Sequence, residues 1–348
     1  MKVLPYVTKG YPGIGGELKR DPKHFQVEEI PLYNPQGSGQ HIYVRCVREG
    51  MTTRELEKEF RALFDLPGVA IGHGGLKDKH ARVTQTISLD LPKADPENVG
   101  ERIADNLPVK VLEVKRHRNK LAPGHLIGNT FHILLTGVGE DTKVLENARA
   151  VTEELLRQGF PNFFGSQRFG KYGDNAERGR EILRGKRRVR GKWLQNLLLQ
   201  SYQSELFNRW LVLRMEQGDY RTILNGEIAK VVETGGLFQV EKVENAQRRF
   251  EQHEITYTGP IYGQNLWKAA GAAGELEQQI LQEEDLTLQA FNRLNMSGNR
   301  RRAVVFPEEI EVIPHPEGLK FTFSLPKGAY ATVMMREIMK LNDETRSE

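Results

Sequence analysis

The sequence predicts an α+β fold with a mixed, mainly antiparallel β-sheet that is interrupted by a largely helical α/β insertion. Two observations predict it. Segments rich in β-branched and aromatic residues occur near both ends of the chain, and long helical patterns dominate the middle. The chain has 348 residues, enough for about two domains. We expect a sheet-containing domain formed by residues 1–157 and 306–348, and an inserted domain formed by residues 158–305.

The predicted strands fall into two groups. They are His41–Arg45, Gln85–Leu89, Val109–Val114 and Thr130–Leu135 in the first half, and Ala303–Phe306 and Phe321–Leu325 near the end. Each is enriched in β-branched or aromatic residues and is bounded by Gly, Pro or Asn. Because both groups read as parts of one sheet, the chain between them is expected to be an insertion.

Helices are predicted where apolar residues recur at helical spacing. They are Thr53–Leu66, Val144–Gln158, Trp193–Met215 and Glu275–Leu294. Thr52 and Glu55 form a capping box before the first of them. In Trp193–Met215 the apolar residues surround most of the helix, which predicts burial on several sides.

The composition excludes several classes of protein. Cys46 is the only cysteine, so neither an intrachain disulfide nor a cysteine-based zinc site is expected. No apolar run reaches the roughly 18 residues of a membrane span, and the first residues lack the pattern of a secretory signal. The histidines show no metal-binding spacing. We therefore expect a cytoplasmic protein with no metal and no contact with membranes.

The charged residues are segregated along the chain. Lysine and arginine number 50 and aspartate and glutamate 46, but the cations cluster in Lys115–Lys120, Arg184–Lys192 and Arg300–Arg302. A single cluster is typical of a solvated loop or helix face. Three clusters indicate a surface that binds a polyanion such as nucleic acid. The candidate RNA-binding residues are Lys77, Lys79, His80, Arg116, Arg118, Lys120, Arg168, Lys186, Arg187, Arg188 and Arg190.

Gly74–Gln85 is the most informative segment for chemistry. Its only acid, Asp78, follows a glycine turn and has Lys77, Lys79, His80 and Arg82 as neighbours. Nearby cations favour the ionised carboxylate, which then serves as a nucleophile or base. An ordinary turn aspartate that accepts backbone hydrogen bonds is the alternative interpretation.

Gly165–Lys171 resembles the start of a phosphate-binding loop. Tyr172 stands where that loop needs Ser or Thr to hold magnesium, which argues against an NTPase. The surrounding Phe160–Phe169 mixes phenylalanines, Arg168 and glycines, a combination that suits stacking on unpaired bases or, alternatively, core packing.

A series of motifs along essentially the whole chain resembles the tRNA pseudouridine synthase D (TruD) family. In chain order they are Asp21–Ile30, Gly39–Arg45, Gly75–Gln85, Lys120–Phe131, Pro161–Gly170, Gln203–Asn208, Thr258–Gly263 and Leu325–Ile338. Each motif alone is moderately specific, and their order makes the resemblance very specific.

The resemblance implies an isomerase that converts a tRNA uridine, at position 13 of the D arm, to pseudouridine without a cofactor. It also implies a pseudouridine-synthase catalytic domain that contains the family's own insertion, with the target base flipped into a cleft between the two domains. Asp78 matches the family's catalytic aspartate, and Phe25, Asn129 and Tyr330 match its substrate-pocket positions. We expect a monomer that binds tRNA and needs no obligate protein partner.

One residue departs from the family motif, which usually reads K-D-x-x-A-x-T-x-Q. Here Val83 stands at the threonine position and Thr84 follows it, while Ala81 and Gln85 keep their spacing from Asp78. The departure argues against a role for the threonine hydroxyl and leaves the role of Asp78 intact. A non-catalytic RNA-binding protein with the same fold is the main alternative function.

Overall fold

The computed structural model of the protein describes residues 4–18, 20–139 and 141–341. Within these residues the helices are α1 (Thr53–Phe64), α2 (Pro96–Asn106), α3 (Thr142–Gln158), α4 (Asn175–Leu183), α5 (Lys192–Glu216), α6 (Val243–Glu251), α7 (Gly271–Glu283), α8 (Leu288–Arg293) and α9 (Ala331–Met339). None of these described helices combines the length and the apolar character that a membrane span requires.

The strands of the described residues complete the secondary structure. They are β1 (Phe25–Pro31), β2 (His41–Arg48), β3 (Ile71–His73), β4 (Arg82–Asp90), β5 (Lys110–His117), β6 (Leu126–Thr136), β7 (Phe160–Pro161), β8 (Ile228–Val231), β9 (Leu237–Gln239), β10 (Ile255–Ile261), β11 (Asn299–Arg302), β12 (Val304–Val305), β13 (Ile310–His315) and β14 (Gly318–Pro326).

The chain divides into two compact units. Among the described residues, the sheet unit contains those of Tyr11–Leu156, Pro307–Ala331 and 338–341. The helical unit contains residues 4–10, Arg157–Phe306 and Thr332–Glu337. That the helical unit is an insertion into a catalytic domain stays a prediction.

The sheet unit is built on one sheet with the order β13-β14-β6-β1-β4-β2-β5, and β3 pairs with β4. All neighbours in it are antiparallel except β1 and β4. This mixed, mainly antiparallel sheet confirms the predicted fold class. Residues from β2 and β4 pack with α1 and α2 in a core that includes Ile42, Val44, Leu56, Phe60, Ile87 and Ile103.

The residue pairing places a set of buried side chains on one face of this sheet. Val27 of β1 pairs with Val83 of β4, and Val83 pairs with Arg48 of β2. Since paired residues share a face and residues two apart repeat it, Phe25, Glu29, Gln85 and Asn129 lie on that same face. We call it the polar face, because Arg48, Glu29 and Gln85 are buried on it.

The helical unit contains a sheet with the order β11-β10-β8-β9, together with α4–α8. The helix α5 is buried on several sides, as its apolar residues predict, with Leu198, Tyr202, Phe207 and Trp210 almost inaccessible to solvent. Arg214 of α5 forms a fully buried ion pair with Glu227 at 2.7 Å.

Two local predictions are wrong. Glu275–Leu294 is two helices, α7 and α8, because α7 ends where Glu284 bonds Tyr202 and Asp285 adopts a left-handed backbone with φ of 49°. The strand predicted at Ala303–Phe306 does not join the large sheet. Its core, β12, pairs with β7 in the helical unit.

Candidate active site

Asp78 lies in the loop that connects β3 to β4 in the sheet unit. The Gly124 N–H donates to the Gly74 carbonyl at 2.7 Å and ties this loop to the segment before β6. The loop leads into Arg82, which pairs with Gln26 near the start of β1. Asp78 therefore comes shortly before the one parallel strand pair of the described sheet.

Buried side chains hold the backbone on the N-terminal side of Asp78. The Lys77 N–H donates to Thr53 Oγ1 at 2.9 Å, and that hydroxyl donates to Gln85 Oε1 at 3.0 Å. Gln85 Nε2 donates to the Gly75 carbonyl at 2.6 Å. Because Thr53 and Gln85 are almost completely buried, this network fixes the loop to α1 and β4.

The guanidinium of Arg48 lies beneath the same loop. Its Nη2 donates to Thr53 Oγ1 at 3.2 Å, and its Nη1 is 3.5 Å from the Asp78 carbonyl oxygen. Burial lowers the pKa of Arg48, whereas the charges of Cys46, Glu55 and Asp78 counteract that shift. An arginine stays protonated in proteins, so this buried cation favours the ionised form of Asp78.

The Asp78 side chain is half-buried, so part of it is open to solvent. Its Oδ1 accepts a hydrogen bond from the Lys79 N–H at 2.8 Å. A carboxylate that is hydrogen-bonded to a backbone amide and is near a guanidinium is stabilised in its charged form. This arrangement supplies a nucleophile or a base on an ordered loop.

Lys77 brings the loop together with Asn129 of β6. Lys77 Nζ donates to Asn129 Oδ1 and lies 3.2 Å from Glu29 Oε2 of β1. The Lys77 side chain is only 7% exposed. An RNA phosphate at Lys77, as expected from the sequence, would have to displace these partners.

The other two predicted pocket residues differ in exposure. Phe25 begins β1 and is buried against Phe131, with ring centroids 6.1 Å apart. Tyr330 is half-buried in the turn between β14 and α9. The Lys327 N–H donates to the Ile127 carbonyl at 3.0 Å, which attaches this turn to β6 two residues before Asn129.

The predicted cations of the sheet unit have varied surroundings. Lys79 pairs with Glu55 at 3.3 Å, and both side chains are about half exposed. Arg116 donates to the Gly39 carbonyl at 2.8 Å, and Lys120 donates to the Val69 carbonyl. His80 and Arg118 are exposed. Arg116 and Lys120 thus bond the backbone of the sheet unit, whereas the side chains of His80 and Arg118 are open to solvent.

The predicted cations of the helical unit lie around α4 and α5. Arg168 donates to Ser204 Oγ at 3.0 Å. Lys186, Arg187, Arg188 and Arg190 are exposed in the loop between the two helices. Of these four, only Arg187 has an ion-pair partner among the described residues, Glu181. We call Lys186–Arg190 the cationic loop.

The structure argues against two further interpretations of the sequence, one for the Arg300–Arg302 cluster and one for the loop at Gly165–Lys171. Arg300 is 5% exposed and pairs with Glu277, so at this residue the Arg300–Arg302 cluster offers no accessible cation, contrary to the interpretation as a polyanion-binding surface. Ser166–Phe169 forms a 3-10 helix, which is not the strand–loop–helix of an NTPase phosphate loop.

The alternation of side chains along β4 determines where Thr84, which stands one residue after the threonine position of the family motif, points. Val83 is fully buried on the polar face together with Gln85, and Thr84, between them, points to the opposite face. Thr53 Oγ1 is the hydroxyl that bonds Gln85. The Thr84 hydroxyl is thus on the other side of the sheet from Gln85.

Sequence reasoning missed three residues of this site: Arg48, Thr53 and Glu29. Each is polar, and each is 3% exposed or less. Glu29 lies within the DPKHFQVEEI motif and Thr53 follows the capping residue Thr52, but neither signal marks a buried polar group. Within the described residues, no group of three or more His, Cys, Asp or Glu side chains is arranged to hold a metal ion.

Comparison with known proteins finds one family along most of the chain. The family model described as tRNA pseudouridine synthase D (TruD) matches residues 2–189 and 188–338. A tRNA pseudouridine synthase D from Anaeromyxobacter dehalogenans is 39% identical, covering 100% of both chains. One from Thermus thermophilus is 40% identical over 97% of this chain and 92% of its own length.

A solved structure gives the same fold. The crystal structure from Methanosarcina mazei that carries the TruD name superposes with a TM-score of 0.76 and covers 98% of this chain and 97% of its own. Its 23% sequence identity makes this a likeness of fold. From the family match and the relatives of near 40% identity over the full length, the chain belongs to the tRNA pseudouridine synthase D (TruD) family.

Proposed function

We propose that the protein converts a uridine of tRNA, uridine 13 in the D arm, to pseudouridine, and that Asp78 is the catalytic carboxylate. Family membership along the whole chain supports the reaction class. The observation that carries the role of Asp78 is its placement. A half-buried carboxylate occupies a loop held by buried polar contacts, next to a lysine that binds Asn129.

The reaction is an isomerisation that leaves the atomic composition of the nucleotide unchanged. The N1–C1′ bond breaks, the uracil turns, a C5–C1′ bond forms, and the proton on C5 moves to solvent while N1 gains one. The Asp78 carboxylate is suited to attack the sugar or the base, or to remove a sugar proton, and later to help remove the C5 proton. The net change needs no oxidant and no group donor.

The target base has to leave its stack to reach Asp78, at a cost of a few kcal/mol. Asn129, on β6, is placed to bond the edge of the uracil. Tyr330, in the turn attached to β6, offers an aromatic ring that is partly open to solvent. Phe25 is buried, so we assign it to the floor of the pocket beside Phe131.

Contacts to the tRNA backbone are assigned to exposed basic side chains. In the helical unit these are Lys186, Arg188 and Arg190 of the cationic loop. In the sheet unit they are Arg118 and His80, whose ring N–H can donate to a phosphate oxygen. Phosphate contacts of this kind give affinity with little sequence preference and a strong dependence on salt.

The direct test is site-resolved mapping of pseudouridine by carbodiimide modification and primer extension. Purified protein is incubated with a tRNA transcript that carries uridine at position 13, and with a matched transcript that carries cytidine there. We expect a pseudouridine signal at position 13 of the first transcript alone. Binding without any signal would indicate a non-catalytic RNA-binding protein, and a signal that occurs only at other uridines would exclude position 13.

A further inference from the structure

The ammonium of Lys77 lies between a carboxylate and an amide on neighbouring strands. Its Nζ is 3.2 Å from Glu29 Oε2 on β1 and donates to Asn129 Oδ1 on β6. Glu29 and Asn129 are directly opposite each other in the antiparallel β1–β6 pair, so both project from the polar face. We call these three side chains the Lys77 cluster.

The chemistry of lysine fixes the orientation of the Asn129 amide. An ammonium has three N–H donors and no acceptor, so only the oxygen of an amide can face it. With Oδ1 bonded to Lys77, the Nδ2 donors of Asn129 have to point elsewhere. Asn129 is then oriented with its NH₂ donors toward the side away from Lys77.

Burial makes this orientation rigid. The side chains of Lys77 and Glu29 are 7% and 2% exposed, and loss of either partner would leave a buried charge uncompensated. Burial lowers the pKa of Lys77, and the charge of Glu29 counteracts that shift. The fold therefore holds the Lys77 ammonium in place, and its position does not depend on a bound ligand.

The Asn129 amide remains accessible on its other side. The side chain is half-buried, and no acceptor for Nδ2 occurs among the described residues. Uracil presents a carbonyl oxygen at C4, which accepts from an NH₂ group, whereas cytosine presents an amino group at that position. An Nδ2 donor that faces the C4 position therefore matches the O4 acceptor of uracil and mismatches the amino group of cytosine.

We infer that Lys77 and Glu29 are positioning residues that direct the NH₂ group of Asn129 toward the C4 substituent of the target base, and that they thereby select uridine over cytidine. This inference rests on the proposed function, because it takes Asn129 to contact the flipped base. It gives Lys77 a role distinct from binding a phosphate.

The test compares the dissociation constants of two tRNA transcripts that differ only by uridine or cytidine at the target position, at one salt concentration. We expect the wild-type protein to prefer uridine by about tenfold, the equivalent of one mismatched hydrogen bond. Lys77→Gln should bring this ratio close to one, because a glutamine amide can present either a donor or an acceptor to Asn129. Lys77→Arg should keep the preference, because a guanidinium also has donors only.

A second variant keeps the test decisive if Lys77→Gln fails to fold. In Asn129→Asp, one carboxylate oxygen binds Lys77 and the other presents an acceptor, so the preference should reverse to cytidine. The inference is overturned if Lys77→Gln weakens both transcripts equally, or if Asn129→Asp still prefers uridine. A wild-type protein that forms no pseudouridine would instead defeat the proposed function itself.

Discussion

The backbone N–H of Lys77 donates to the hydroxyl of Thr53 at 2.9 Å, so the residue immediately before Asp78 is fixed to the first turn of α1. Thr53 is fully buried, and its hydroxyl also donates to Gln85 of β4. One hydroxyl therefore joins a helix, a strand and the loop that carries the proposed catalytic carboxylate. Contacts within the sheet unit itself therefore hold the backbone next to Asp78 in place.

Replacement of Thr53 should affect both stability and catalysis. Thr53→Val has nearly the same shape but removes the hydroxyl, which leaves the Lys77 N–H and the Gln85 amide without this partner. We expect a loss of about 1–3 kcal/mol in the free energy of unfolding, measured with urea, and a slower single-turnover rate. Thr53→Ser keeps the hydroxyl and is the matched control. Equal rates in the two variants would show that this bond does not position Asp78.

The cationic loop should increase the affinity for tRNA. Arg188→Glu combined with Arg190→Glu reverses two exposed charges, neither of which has an ion-pair partner among the described residues. We expect weaker binding and a salt dependence of log K that is flatter by about 0.7–0.9 for each phosphate that is no longer neutralised, measured by filter binding. Lys242→Glu with Arg248→Glu makes the same charge change at another exposed site. If the loop variant shows an unchanged salt dependence, Arg188 and Arg190 are solvated and do not contact the phosphates of tRNA.

Two buried histidines should make the protein less stable in mild acid. His117 is 3% exposed, lies opposite His41 in the β2–β5 pair and packs against Tyr43, with ring centroids 4.7 Å apart. Burial lowers the pKa of both His41 and His117. Between the lowered pKa and the ordinary value of about 6.5, the unfolded chain binds more protons than the folded protein. The free energy of unfolding therefore falls as the pH decreases through this range.

The size and origin of this pH effect can be measured. Urea unfolding at pH values from about 7.5 down to about 5.5 should show a slope of at most about 1.4 kcal/mol per pH unit for each histidine. His117→Phe keeps an aromatic ring next to Tyr43 but cannot titrate, so its slope should be smaller. If the variant and the wild-type protein show the same slope, His117 is not its source.

Elements specified by local sequence were predicted correctly. The capping box of Thr52 and Glu55 begins α1 as expected, with both of its hydrogen bonds formed. The predicted strand at Thr130–Leu135 is the central part of β6. These signals lie within a few residues of one another, so no knowledge of the tertiary structure is needed to interpret them.

Elements that depend on distant contacts were not predicted. The strand β1 contains two adjacent glutamates, Glu28 and Glu29, a pattern typical of an exposed segment. Glu29 is nevertheless buried, and it forms an ion pair with Lys77 of the loop between β3 and β4. The helix α2 is a different case, because its start signal, Asp95 followed by Pro96, is local and was overlooked. The family motifs predicted roles for Asp78 and Asn129, and the structure adds that Lys77, next to Asp78 in the chain, bonds Asn129.

The most direct test of the account is the single-turnover rate of pseudouridine formation by Asp78→Asn, with Asp105→Asn, an exposed residue of α2, as the matched control. We expect Asp78→Asn to fold, to bind tRNA with the affinity of the wild-type protein, and to lose about 10³-fold or more of the rate, while Asp105→Asn stays fully active. Turnover by Asp78→Asn at the rate of the control would contradict the assignment of Asp78 as the catalytic carboxylate.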